Sequence, residues 1–206
     1  MSLRDEVLPI PSVEQLRQRI ISGDTSLLHR ARAAAKEELQ NDFGDVDELG
    51  DEEREEFDDE LAQRTAKLDT FFSSEPHPEI EDGELLGTIE SVIFDTKLYT
   101  ELPIPFNKTY KHTSCWPPYI KQVSGQVSEV AIALLTYLNV GRPLRGQRLE
   151  SDWGFYSWLS TSEMRQLHEE LSQVSIDGDL DEFHDDLIVS LRMLLDNGSE
   201  MFLACS

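Results

Sequence analysis

The sequence predicts an α+β domain dominated by helices, with a small sheet that includes the C-terminal segment. Three observations carry this. Most of the chain repeats apolar residues at three- and four-residue spacing behind polar cap residues, which is the helical period. The end of the chain, Met201-Phe202-Leu203-Ala204-Cys205, is short and apolar throughout, as a strand buried on both faces would be. No segment repeats at a fixed period, so a solenoid or propeller is excluded. At 206 residues the chain suits a single domain over 1–206.

Ser12 and Gln15 form a capping signal that opens a short helix with Val13, Leu16 and Ile20 inward, and Gly23 ends it. Asp24 then caps a helix over about 25–39, whose stripe is Leu27, Leu28, Ala31, Ala34, Ala35 and Leu39. Residues 42–60 hold twelve acids and one base, Arg54. Their first part, with Gly44 and Gly50, reads as a loop. From Asp51 onward a helix is predicted, with Phe57, Leu61, Leu68 and Phe72 on one side and its first acids at the positive end of the dipole. Residues 73–82 read as a connector and 83–94 as a helix. Residues 100–123 are rich in proline and aromatics. Pro103, Pro105, Pro117 and Pro118 predict an extended, ordered loop through 119, because an interior proline breaks a helix.

A strongly apolar helix is predicted over 124–139, with Val127, Val130, Ala131, Leu134, Leu135 and Leu138 inward, and Gly141 and Pro143 ending it. Ser160 and Glu163 form a second capping box, before Met164, Leu167, Leu171 and Val174. A turn leads to a last helix over about 181–196, with Phe183, Leu187, Leu191 and Leu194 inward and Asn197-Gly198 as a left-handed cap.

Charge narrows the function classes. The chain carries 41 acidic against 18 basic side chains, a formal net charge of −23. Neutralising phosphates needs clustered Lys and Arg, so general nucleic-acid binding is excluded, as is docking on an anionic membrane. No apolar run approaches the ~20 residues of a spanning helix, and the N-terminus lacks a secretory core. Two cysteines, Cys115 and Cys205, make no disulfide scaffold, and neither has a metal-type partner at short spacing. A reducing cytoplasm is the expected compartment. No phosphate loop, dinucleotide fingerprint or metal motif is present, so no cofactor or metal is expected.

Four places carry candidate chemistry. His112 and Cys115 pair a possible base with a possible nucleophile, without the surround of a known nucleophile motif; packing or recognition are the alternatives. Arg142, Arg145 and Arg148 would suit an anion, since arginine grips carboxylate or phosphate in bidentate fashion; pairing with the chain's own acids is the alternative. Trp153, Tyr156 and Trp158 are core residues or, if exposed, interface anchors. Asp51, Glu52, Glu55 and Asp59 would form an acidic contact surface, or serve solubility alone. Asp177–Asp181 fails as a calcium loop, because Glu182 and Ile188 occupy the sixth and twelfth positions. His184 reads as a boundary histidine, with Leu180 and Ile188 where a second ligand would stand.

The run Trp158-Leu159-Ser160-Thr161-Ser162-Glu163-Met164, the helix from Phe183 to Gly198 and the closing Met201–Cys205 resemble the uncharacterised bacterial family typified by YfbM. The opening from Val13 to Leu28 is similar to that of a related actinobacterial group. The resemblance covers a quarter to a third of the chain and has no counterpart for 42–60 or 100–123. It implies a mostly helical α+β domain and transfers no catalytic residue. Two functions follow as expectations. One is a non-catalytic acidic module that captures a basic protein, a toxin-neutralising immunity protein being the concrete form. The other is a small enzyme that works on an anionic substrate at His112 and Cys115.

Overall fold

In the computed structural model, residues 5–72, 100–107, 112–142, 150–151, 154–176 and 178–205 are described. Strand β1 (Asp5–Ile10) leads into α1 (Val13–Ile21), α2 (Thr25–Phe43) and α3 (Asp51–Phe71). Further along the chain come α4 (His112–Val123), α5 (Glu129–Val140), β2 (Glu150–Ser151), β3 (Gly154–Leu159), α6 (Thr161–Leu171), α7 (Asp181–Asn197) and β4 (Glu200–Cys205). The expected α+β architecture is what these elements form. The strands make one antiparallel sheet in the order β1-β4-β3-β2, which places the C-terminal strand inside it.

The apolar run of β4 has a direct cause. Successive side chains alternate between faces. Met201 and Leu203 enter one apolar cluster, with residues of α4, α5, α6 and α7; Phe202 and Ala204 enter a second, with residues of α1, α2 and α3. The sheet is therefore covered on both faces, and a polar residue at any of these positions would be buried.

The cap signals work as chemistry predicts. Ser12 Oγ accepts from Gln15 N at 3.2 Å, and Asp24 Oδ1 accepts from Ser26 N and Leu27 N. Ser160 and Glu163 make the reciprocal box that opens α6. Gly198 ends α7 at φ 68°, where a side chain would be strained. Gly23 turns α1 into α2 at φ 65°, and a Cβ there would stand 2.9 Å from the Phe72 carbonyl oxygen.

Helices α2 and α3 form an antiparallel hairpin. Arg32 meets Asp69, Arg64 lies 3.8 Å from Glu38, and the Phe43 and Phe57 rings pack edge to face. The start of α2 and the end of α3 lie on the sheet through Leu27 and Phe71, so the tip, residues 44–50, is the end away from it.

Two expectations need correction, and one strand is unforeseen. Residues 112–119 are not an extended loop: α4 runs through Pro117 and Pro118. Each interior proline costs about 3 kcal/mol. However, Trp116 and Tyr119 are fully buried on the opposite side of α4 from the exposed prolines. Burying an aromatic removes ~150–250 Å² from water, worth about 4–6 kcal/mol per ring at ~25 cal/mol/Å², so packing outweighs the two prolines. The N-terminal stretch forms β1, a strand that its interrupted apolar pattern does not predict. Val130 is 51% exposed rather than in the core. The predicted helix at 83–94 and the connector before it lie outside the described residues.

Candidate functional site

Two features stand out once the fold is assembled: a buried polar cluster where β1, β4 and α4 meet, and an acidic ridge on α3.

The cluster is built by register. Asp5 opens β1 and pairs directly with Cys205 at the end of β4, so their side chains share a face. His112 opens α4 above them, and Trp116 follows one turn later on the same side. Asp5 Oδ1 lies 2.7 Å from His112 Nδ1, and Trp116 Nε1 donates to Asp5 Oδ2 at 2.7 Å. His112 Nε2 donates to the Asn139 carbonyl at 2.8 Å. That carbonyl is available because the last carbonyls of α5 have no helical partner, and it lies at the negative end of the helix dipole. Asp5 and His112 are 4% and 3% exposed.

The acceptors decide the proton count. A carbonyl only accepts, so Nε2 carries a hydrogen; a carboxylate opposite Nδ1 calls for a second. Burial opposes the charged ring, but the Asp5 carboxylate and Asn139 outweigh it and raise His112 above its ordinary value. Burial, with Asp5 beside it, pushes the Cys205 thiol well up. The fold places the Cys205 sulfur beside His112 and Asp5. With both ring nitrogens engaged, His112 has no lone pair to take a proton from a nucleophile. Cys115 is half-buried against the first apolar cluster.

A second buried histidine has the opposite character. Tyr119 Oη and His184 Nδ1 share a hydrogen bond of 2.7 Å. Burial lowers His184 below its ordinary value, against the pull of Asp185. The folded protein therefore binds this proton less readily than the unfolded chain. The linkage sign follows: the stability that His184 contributes is complete above pH ~6.5, the free-histidine value, and falls as pH drops below it. We expect denaturant titrations to show a steeper loss between pH 6.5 and 5 in the wild type than in a Tyr119→Phe/His184→Leu double variant. Equal slopes would refute this assignment.

Of the anion candidates, Arg142 is taken up internally. Its guanidinium makes a bidentate pair with Glu163 at 2.9 and 2.8 Å, bonds the Trp158 carbonyl, and lies 3.6 Å from the centre of the Trp158 ring. Burial works the other way, but Arg142 and Ser160 together hold the Glu163 carboxyl below its usual value. Arg145, Arg148 and Trp153 lie outside the described residues. Tyr156 is buried on Phe202, so it is a core residue and not an exposed anchor; Trp158 is half-buried between Arg142 and Arg17.

The acidic candidates form one ridge. Asp51, Glu55 and Asp59 follow at four-residue spacing with Glu52 alongside, so they share one side of α3. All four are exposed, while Phe57, Arg64, Leu68 and Phe71 occupy the opposite, buried side. Arg54 reaches back to the Val46 carbonyl and lies 3.9 Å from Asp47, beside the tip.

Sequence reasoning missed Asp5, Asn139 and Glu200. Their partners are far apart in the chain, and no local spacing signals them. Compared with protein-family models, curated proteins and solved structures, the chain matches none. No helix among the described residues is long and apolar enough to cross a membrane.

Proposed function

We propose that this is a cytoplasmic acidic module that captures a basic protein partner, of the kind a toxin-neutralising immunity protein represents. The observation that carries it is the α3 ridge: four exposed carboxylates in one stripe, near the outer end of a helical hairpin. Like charges four residues apart on a helix repel by a few tenths of a kcal/mol per pair. Solubility is served equally by interspersed charges, so a like-charge stripe is better explained by a field directed at a partner. Such fields raise association rates and select partners by sign. The resemblance to the YfbM-like family adds no activity to this reading.

The test is a quadruple variant, Asp51→Asn/Glu52→Gln/Glu55→Gln/Asp59→Asn, compared with wild type as bait at low and raised salt. A basic partner should be retained by the wild type, released by salt, and bound by the variant with an association rate reduced on the order of tenfold or more. A partner that binds both proteins alike, or no salt-sensitive basic partner at all, refutes the proposal.

A further inference from the structure

The buried cluster also brings together three groups of metal-ligand type. One nitrogen of His112, one carboxylate oxygen of Asp5 and the Cys205 sulfur lie within 4.8 Å of one another, all three residues buried. We propose that Asp5, His112 and Cys205 form a binding site for a zinc-like divalent transition metal.

Two features support this. The donor set is imidazole, carboxylate and thiolate, which suits Zn²⁺ and excludes Mg²⁺ and Ca²⁺, cations that take oxygen ligands. The surroundings supply the outer partners that metal ligands require. His112 turns Nδ1 towards the cluster because Nε2 is fixed on the Asn139 carbonyl, and Asp5 presents Oδ1 because Oδ2 is fixed by the Trp116 indole.

Some rearrangement is needed. Tetrahedral bonds of ~2.0–2.1 Å to nitrogen and oxygen separate those two ligands by roughly 3.3 Å, so the Asp5–His112 pair must open from 2.7 Å. The Cys205 sulfur must come to ~2.3 Å from the ion. Three donors leave one tetrahedral position for a water. Both strand residues sit at strand ends, Asp5 at the start of β1 and Cys205 at the end of β4, where small shifts disturb few ladder bonds.

Cobalt is the probe, because a thiolate bound to Co²⁺ gives a charge-transfer absorption band. The full chain is stripped with chelator, kept reduced, and titrated with Co²⁺ both in the folded state and during refolding, so that burial cannot hide the site. The expected result is a charge-transfer band that saturates at one equivalent and is quenched by Zn²⁺. Cys205→Ser should abolish the band and Cys115→Ser should leave it. Trp116→Phe, which keeps a ring in the core but removes the bond to Asp5, should weaken binding ~10–100-fold. No band in either wild-type titration overturns the proposal, as does a band that survives Cys205→Ser.

Discussion

Asp5→Ala is expected to lower the free energy of unfolding by about 3–5 kcal/mol, the cost of removing one partner from a buried ion pair. The carboxylate receives the His112 ring on one oxygen and the Trp116 indole on the other. Its removal leaves two buried donors without an acceptor, and the ring can no longer keep its charge in an apolar setting. Removing both charges should cost less than removing one, because the unpaired buried charge is the dominant penalty. An Asp5→Leu/His112→Leu double variant should therefore be more stable than Asp5→Ala, although the indole N–H still lacks its acceptor. Urea unfolding in the presence of chelator measures this without contribution from metal. A loss below about 1 kcal/mol, the size of a single ordinary hydrogen bond, would show that Asp5 and His112 do not form a buried ionic contact.

The contrast between that cluster and the helices shows what a single sequence makes legible. Helix starts at Ser12, Asp24 and Ser160 are readable because a cap and its target lie two or three residues apart. The buried nature of β4 is readable because both of its faces meet apolar layers. The α3 ridge is readable as a surface because its four acids stand opposite Phe57 and Leu68 on one helical period. Helix α4 is not readable. Local chemistry at Pro117 and Pro118 argues against a helix, and the long-range packing of Trp116 and Tyr119 on Phe106 and Phe183 tips the balance the other way. The same limit hides the buried cluster: Asp5 and His112 are 107 positions apart. Strand β1 is masked by its composition, since Asp5, Glu6 and Pro9 interrupt the apolar alternation. Asp5 is buried as an ion-pair partner, Glu6 is exposed, and Pro9 sits on an edge strand, where a missing N–H is tolerated.

Glu200→Ala is expected to cost about 2–3 kcal/mol, in the range for charge-assisted hydrogen bonds, even though Glu200 is only half-buried. Its carboxylate accepts from Val13 N at 2.6 Å and, through the other oxygen, from Thr161 N at 3.1 Å and Thr161 Oγ1 at 3.3 Å. Val13 and Thr161 are the first residues of α1 and α6, whose leading N–H groups have no partner within their own helices. One carboxylate thus sits at the positive ends of two helix dipoles. Because α1 packs on one face of the sheet and α6 on the other, the side chain ties both layers to the first residue of the central strand. Glu200→Gln should not rescue the loss, because an amide has one oxygen to accept with and its NH₂ would confront the remaining donor. Hydrogen exchange provides a readout beyond global stability. The amides of Val13 and Thr161 should exchange faster in Glu200→Ala by more than the change in global stability explains, while amides at the centre of α7 should follow global stability alone. If the two amides stay as protected as in the wild type, Glu200 is not their acceptor in solution.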